Sequence, residues 1–347
     1  MTPISWGIFI VAAVVFVIGG LTILYHLVFG LDKTGLTDKY PWGLNIQGFY
    51  ALSSFGTGLL AMMSALVIFM GAAFPVEIFR LGASIALALL LAGIILMGAD
   101  LGKPTRAMKI ATGGRPNSPL FIDFVTLILL VILSLILTCG LGTGSVVGMK
   151  AWAYITLLIA VLCMSAHTML IAPRLAAGFK GSPFFALETV ILALWGGTAI
   201  LAVMTKNDAA SNEIVLPILT VLSAIALILA LSSKIAGSLA EKKVHNGAFV
   251  GLALIALILM IVWDLTAASE IIWIVAAVLA VIAVFVEKCE SLLIQQMHFM
   301  TDGPHQYELE SKPSYKPHAT EIGNLLCGIG LVVVLPYVVI IIRTFLF

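Results

Sequence analysis

The stretch from Met97 to Phe124, MGADLGKPTRAMKIATGGRPNSPLFIDF, decides how this chain is organised. It is the part of the sequence densest in polar chemistry, with the carboxylates Asp100 and Asp123 near its ends and long apolar segments on both sides. Helices that cross a bilayer satisfy their backbone groups internally, so a Gly- and Pro-rich stretch belongs outside the hydrocarbon. We interpret it as a loop for docking or for admitting a substrate, and its basic residues are Lys103, Arg106, Lys109 and Arg115.

The composition sets the class of protein. The chain has 347 residues, of which 61% are hydrophobic and 10% charged, and its mean hydropathy is +1.16. Such a chain is a polytopic α-helical membrane protein rather than a soluble globule. The net charge of +1 argues against nucleic acid binding. The first apolar segment lacks a basic start and is long enough to span, so we expect it to be retained as a helix.

Hydropathy predicts an all-α fold of ten spans in one integral membrane domain, 1–347. Between the last two spans, residues 294–320 form the one segment long and polar enough for a sizeable extramembrane loop. The predicted spans are 5–30, 44–71, 75–100, 120–142, 149–172, 183–205, 213–236, 246–265, 270–293 and 321–345.

The basic residues are distributed unevenly between the two sides. Fourteen of the 18 Lys and Arg residues fall on the side of the loops that follow odd-numbered spans. The positive-inside rule then places these loops in the cytoplasm and both termini outside. Basic loops that bind an acidic partner subunit would produce the same bias, so this alternative stays open.

Two ionisable residues inside the spans are candidates for proton transfer. His167 lies in the last turns of span five, and Glu188 lies one to two turns into span six on the same side. Ionisable groups in the hydrocarbon are costly and are functional candidates by default. A buried carboxylate needs a partner, and His167, Arg174 or a water path could supply one for Glu188. The alternative is that both residues only hold helices together.

The start of span two carries a polar cluster. Asn45, Gln47 and Tyr50 follow the interfacial aromatics Tyr40 and Trp42. Gln47 and Tyr50, three residues apart, share a helix face, whereas Asn45 and Gln47 do not. The cluster suits the head group of an amphipathic ring ligand. Close helix packing through small residues explains the later part of this span equally well.

Metal and haem sites have weak support in the sequence. The cysteines show no CxxC or CxxCH spacing, which argues against iron–sulfur clusters, covalent haem and disulfides. His26 and His167 are the histidines well inside spans, so a bis-histidine haem has poor support. We expect no haem, cluster or metal in this chain, and we interpret the four cysteines as small buried hydrophobes: Cys139, Cys163, Cys289 and Cys327.

Several motifs together resemble a known family. They are YHLVFGLDKTG followed by YPWGLNIQGFY, the DLGKPTRAM loop closing on RPNSPLFIDF, AHTMLIAPRLAAGFKGSPFFALE, and YKPHATE before the last span. In these motifs the chain resembles the NrfD/polysulfide reductase family of membrane subunits, in its ten-span branch. The likeness is strongest over spans one to six.

The resemblance implies a membrane anchor without cofactors of its own. Such a protein exchanges electrons between quinone, here with menaquinone favoured, and a ferredoxin-like iron–sulfur subunit docked on one face. It also implies two four-helix bundles, 44–172 and 183–293, with spans one and ten outside. The quinone pocket would lie in the first bundle, near Asn45, Gln47, Tyr50 and His167, and Asp100 and Asp123 match acidic positions of the pattern.

The sequence departs from the family pattern at two places. Several relatives carry His or Asp at the position that falls near Phe49 or Tyr50 here, and His167 is followed by Thr168 where a His–Gln pair is frequent.

We predict proton transfer through His167, with Glu188, Asp123 and Asp100 as relays. The predicted protein is a quinone-linked subunit of a respiratory complex in a prokaryotic plasma membrane, with its docking face in the cytoplasm by the charge count. A secondary transporter and a purely structural anchor are the alternatives.

Overall fold

A computed structural model describes residues 3–38, 40–101, 109, 112–178, 185–239, 247–266, 269–301 and 314–346. Its ten long helices follow the apolar segments of the sequence, and a short 3-10 turn, Gly71–Ala73, joins the second to the third. The helices are α1 Pro3–Phe29, α2 Leu44–Met70, α3 Val76–Asp100, α4 Pro119–Thr138, α5 Val146–Gly178, α6 Phe185–Met204, α7 Ala209–Leu239, α8 Gly247–Thr266, α9 Glu270–Thr301 and α10 Ala319–Leu346.

The predicted fold class is confirmed. Within the described residues the structure has no strand, and all ten helices are long and apolar enough to cross a membrane. The chain is a multi-pass membrane protein. The cytoplasmic orientation stays a prediction, because helix packing does not depend on which side of the membrane a loop faces.

The helices pack as two rings of four. In the first bundle, α2 contacts α3 and α5, and α4 closes the ring between them. In the second bundle, α6 contacts α7 and α9, and α8 closes that ring. The helices α1 and α10 pack against each other, and α10 also packs on α3, so this pair lies outside the rings. This arrangement agrees with the predicted bundles and peripheral spans.

Two glycines let the bundles approach closely. A Cβ atom placed on Gly58 of α2 would lie 1.8 Å from the Ala193 carbonyl oxygen of α6, and one on Gly197 would lie 2.2 Å from the backbone of Gly58. Small residues at helix contacts in membranes allow backbones to approach, which is where much of the packing energy arises. The contact between α2 and α6 therefore depends on glycine on both sides.

Some predicted boundaries were wrong by several residues. Span four was predicted to reach 142, but α4 ends at Thr138 because Gly140 and Gly142 adopt positive φ angles of 74° and 71°. Span nine was predicted to stop at 293, but α9 continues to Thr301. In this extension the side-chain amide of Gln296 donates to the Trp42 carbonyl at 2.9 Å and accepts from the Trp42 N–H at 2.7 Å.

The interpretation of the cysteines as buried hydrophobes holds for some of them. Cys163 and Cys327 are buried, and Cys289 is partly buried. The prediction was wrong for Cys139, which is exposed because it directly follows the last residue of α4, where the chain leaves the bundle.

Buried polar side chains gather where the odd-numbered helices end and the even-numbered helices begin. We call this the polar end. Because successive helices cross in opposite directions, these side chains come from many helices but lie at similar depths. Most of the basic docking loop, 102–108 and 110–111, lies outside the described residues. The buried polar residues of the polar end include His26, Asn45, Asp123, His167, Glu188, Glu287, Lys288, Glu321 and Asn324.

Candidate functional site

Three helices of the first bundle meet at His167. Its side chain on α5 is 2% exposed. The ring Nε2 lies 2.9 Å from Ser53 Oγ on α2, and Nδ1 lies 2.7 Å from Asp123 Oδ1 on α4. Asp123 is 3% exposed and sits one turn into α4. The two proton-transfer candidates Asp123 and His167 are therefore in direct contact inside the bundle.

The hydrogen bonds of Ser53 determine where the protons of this pair lie. The Ser53 hydroxyl lies 2.6 Å from the Phe49 carbonyl oxygen, and when it donates there its oxygen accepts from His167 Nε2–H. Nδ1 then faces two acceptors, Asp123 Oδ1 and the Cys163 carbonyl oxygen at 3.1 Å. A lone pair on Nδ1 would repel both, so we infer that Nδ1 carries a proton that the Cys163 carbonyl and the Asp123 carboxylate share.

Aromatic rings cover the histidine. The Phe49 ring stacks on it with centroids 5.7 Å apart, and the Tyr50 ring meets it edge-on at 5.5 Å. These rings exclude water and lower the local dielectric, which strengthens the interaction between His167 and Asp123. Tyr50 was predicted to lie near His167, and the structure brings the two together.

Cys163 adds a third group that could bind a metal. Its Sγ, His167 Nδ1 and Asp123 Oδ1 all lie within 4.8 Å of one another. However, two ligand atoms bonded to one tetrahedral zinc are about 3.3 Å apart, given bonds of about 2.0 Å. The 2.7 Å between Nδ1 and Oδ1 is a hydrogen-bond distance. The donor set fits a shared proton better than a metal ion.

A crevice between α3 and α4 leads to Asp123. Among its lining residues in the described chain, six are apolar and Asp123 is polar. Its free volume, about 30 Å³, is close to that of one water molecule. The crevice therefore joins an apolar surface to the buried carboxylate, and its apolar lining consists of Ile94, Met97, Leu120, Phe124, Leu127 and Ile128.

Asn45 and Asp100 belong to a separate polar cluster beside α1 and α10. Asn45 Oδ1 accepts from Asn324 Nδ2 at 3.2 Å, and Asp100 interacts with Asn45 and lies near Glu321. Asn324 Nδ2 also donates to His26 Nδ1 at 2.9 Å. The structure therefore separates Asn45 and Asp100 from the group around His167, although the sequence suggested one site.

Glu321 is the centre of this second cluster and was not predicted as a site residue. Its carboxylate is fully buried and accepts from the Tyr315 hydroxyl at 2.7 Å, the Gly35 N–H at 2.7 Å and the His318 N–H at 2.9 Å. Burial, with the adjacent carboxylate, raises the pKa of Tyr315 above its ordinary value, so this hydroxyl stays protonated and donates. An acidic residue in the first turn of a predicted helix, after a Tyr and Pro-rich segment, was the available signal.

A glycine at position 43 leaves room for the carboxylate. A Cβ atom there would lie 2.2 Å from Glu321 Oε1. The N–H of the next residue, Leu44, donates to Tyr315 Oη at 2.7 Å. Glu321 and Tyr315 therefore hold the start of α2, the helix that carries Tyr50 and Ser53.

The remaining predicted site residues lie apart from His167 in the hydrogen-bond pattern. Gln47 is 2% exposed, and its Nε2 has no hydrogen-bond partner among the described residues. Glu188 is buried in the first turn of α6, and the side chain of its suggested partner Arg174 lies outside the described residues. In the second bundle, Lys288 Nζ lies 3.0 Å from Glu287 Oε2, and both side chains are buried.

Comparison with known proteins finds similarity to a membrane subunit of another organism. Over 114 residues, 33% of this chain, it is 31% identical to a protein of Halobacterium salinarum described as a "Putative dimethyl sulfoxide reductase membrane subunit". The match spans 26% of that relative's length, about a quarter. No family model matches the chain. Over the matched stretch, this similarity to a reductase membrane subunit supports the resemblance drawn from the sequence motifs.

Proposed function

We propose that this chain is the quinone-interacting membrane subunit of a multi-subunit respiratory oxidoreductase. In this role it exchanges electrons between the quinone pool, with menaquinone favoured, and a ferredoxin-like iron–sulfur subunit docked at the polar end. The description of the relative as a reductase membrane subunit supports a place in a redox complex. The basic loop and the buried polar groups at one end of the helices support a docked partner there.

The observation that carries the proposal is the position of Asp123. Asp123 lines the crevice between α3 and α4, and its carboxylate also contacts His167. An apolar path with one convergent polar group is typical of sites for amphipathic ligands. Because the crevice has room for about one water molecule, it must widen for a quinone head group to reach Asp123, and the tail would then lie among Ile94, Leu127 and Ile128.

The chemistry follows from the shared proton. Oxidation of a quinol releases two electrons and two protons, and the electrons pass to the iron–sulfur subunit. The Asp123–His167 pair takes up a quinol proton as it hands its own shared proton to the next acceptor. Ser53 keeps Nε2 protonated, so the exchange runs through Nδ1 and the carboxylate. A histidine suits this role because its unperturbed pKa lies near neutral pH.

Glu188 and Asp100 complete the proposal as relays at the polar end. Asp100 lies beside Asn45 and near Glu321, so a proton that reaches this second cluster is close to the docking face. Glu188 is buried on α6, the second-bundle helix that packs on α2. Both carboxylates lie at the end of the helices where the partner subunit would dock.

Binding of a quinol analogue tests the proposal. Fluorescence quenching is measured on the purified complex with its partner subunits, comparing wild type with Asp123→Asn, His167→Ala and Tyr50→Phe. We expect the first two variants to bind at least about tenfold more weakly, the loss of one charge-assisted hydrogen bond. The matched control is Asp264→Asn, an exposed carboxylate at the opposite end of the helices, and its binding should equal that of wild type.

Two results would overturn the proposal. Equal binding by all variants would remove the site from the first bundle. No binding by the wild-type complex would favour a secondary transporter or a structural anchor. A transporter would in addition work without partner subunits, and an anchor would keep its activity when His167 and Glu188 are replaced.

A further inference from the structure

The three side chains that meet at His167 have counterparts deeper in the first bundle. Ser53, Asp123 and His167 lie on three different helices and contact one another. Eleven residues from each of them, on the same helix, the sequence has a hydroxyl side chain. These are Ser64 on α2, Ser134 on α4 and Thr156 on α5.

Helix geometry brings these hydroxyls together. Eleven residues make about three turns, so each hydroxyl lies on the same helix face as its partner and about 16 Å further along the axis. The helices α2 and α4 run away from the polar end, whereas α5 runs towards it. Counting forward from Ser53 and Asp123, and backward from His167, therefore leads in the same direction. The three hydroxyls form a second layer inside the bundle.

This hydroxyl layer is buried and lacks protein partners. Ser64, Ser134 and Thr156 are each fully buried, and their hydroxyl oxygens have no hydrogen-bond partner among the described residues. A buried hydroxyl of the second bundle behaves differently: Thr198 on α6 donates to the Leu194 carbonyl at 2.7 Å. Buried polar groups without a protein partner are normally bonded to internal water.

Further polar groups continue from the layer to the opposite end of the helices. Thr138, one turn beyond Ser134 on α4, is 4% exposed and also lacks a partner among the described residues. Past the end of α4, Thr143 accepts from Arg80 Nε at 3.0 Å and from Nη2 at 2.8 Å. Hydroxyl groups therefore continue from the layer to the end opposite the polar end, while the layer itself lies about 16 Å from the Asp123–His167 pair.

We propose that the hydroxyl layer of Ser64, Ser134 and Thr156 binds water, and that this water carries protons between the Asp123–His167 pair and the side of the membrane opposite the docking face. A hydroxyl donates one hydrogen bond and accepts two, so it can pass a proton along such a chain. The source of the protons rests on the proposed function. For each quinol oxidised, two electrons leave to the iron–sulfur subunit, one proton leaves through the hydroxyl layer, the other leaves through the relays Glu188 and Asp100 at the polar end, and quinone is released.

Access of a small ion to residue 134 tests whether the hydroxyl layer contains water. The purified complex carrying Ser134→Cys is treated with silver ion, which binds thiolates and is similar in size to water. The complex is then denatured, alkylated and analysed by mass spectrometry of the peptide carrying residue 134. We expect silver to block the new thiol roughly tenfold faster than in the control Thr198→Cys, whose hydroxyl is satisfied by its own helix. Equal protection of both thiols would show a dry layer and overturn the proposal, whether or not the chain binds quinone.

The side of the membrane on which protons are released tests the direction of proton transfer. The complex is placed in liposomes with a pH dye inside, electron transfer from quinol is recorded in parallel, and Thr156→Val is compared with Thr198→Val. We expect Thr156→Val to slow proton release opposite the docking face about fivefold, the equivalent of one lost hydrogen bond, with electron transfer slowed equally. Normal electron transfer with all protons released at the docking face would overturn this inference alone. Absence of electron transfer from quinol in the wild type would instead overturn the proposed function.

Discussion

Ser53 Oγ and His167 Nε2 lie 2.9 Å apart on facing helices, and this contact favours a proton on Nε2. The serine donates its own proton to the Phe49 carbonyl, so it accepts from the ring. The other ring nitrogen is thereby committed to Asp123. A residue with no charge of its own therefore sets the direction in which the charged pair exchanges protons.

Removal of the Ser53 hydroxyl should change the protonation of the Asp123–His167 pair while both of these residues remain. In Ser53→Ala the Nε2–H loses its buried acceptor, which costs about 1–3 kcal/mol. We expect a lower melting temperature of the purified complex and an altered pH profile of quinol oxidation, because Nε2 no longer has to carry a proton. The control is Ser232→Ala, whose hydroxyl donates to the Ile228 carbonyl in α7. An unchanged pH profile in Ser53→Ala would contradict the role given to the serine.

The glycine contact between the bundles should tolerate no side chain. In Gly58→Val the new side chain meets the Ala193 carbonyl of α6, so the helices must separate. We expect destabilisation of about 3 kcal/mol or more, as for overpacked sites, and a fall in the yield of folded protein. Gly98→Val is the control, because a Cβ atom there has nothing within 4 Å. The two variants are compared by size-exclusion chromatography and thermal unfolding in detergent.

Glu321 should be required to hold the start of α2. In Glu321→Gln one carboxylate oxygen becomes an amide N–H₂ that faces the donors of Gly35, His318 or Tyr315. Unsatisfied or opposed buried donors cost about 1–3 kcal/mol each, so the melting temperature should fall. The matched change Glu270→Gln, at an exposed residue in the first turn of α9, should leave it unchanged. Equal melting temperatures for the two variants would contradict this account of Glu321.

The hydropathy of the sequence predicts most of the fold, because each membrane helix satisfies its own backbone. The helix ends at Thr138 and Thr301 were missed for local reasons: positive-φ glycines end α4, and the amide contacts of Gln296 accompany the extension of α9. The proximity of Tyr50 to His167 was implied by the family resemblance. The separation of Asn45 from His167 could not, since it depends on how α2 is rotated against α10.

The buried pair Glu287–Lys288 should show coupled effects on stability. In Lys288→Met the Glu287 carboxylate stays buried without its cation, and breaking a buried pair on one side costs about 3–5 kcal/mol. In the double variant Glu287→Gln/Lys288→Met no charge of the pair remains, so most of the stability should return. Thermal unfolding of the four proteins in a double-mutant cycle measures the coupling. Additive losses would show that the two side chains do not interact.

Photolabelling tests the central claim most directly, namely that a quinone head group reaches Asp123 through the crevice between α3 and α4. The intact complex is irradiated with a quinone that carries a photoreactive group on its ring, and the labelled peptides are mapped by mass spectrometry. We predict labels on the residues that line the crevice, Met97, Leu120 and Phe124, and their loss when unlabelled quinone competes. Labels confined to the second bundle or to a partner subunit, with the crevice unlabelled, would contradict the account.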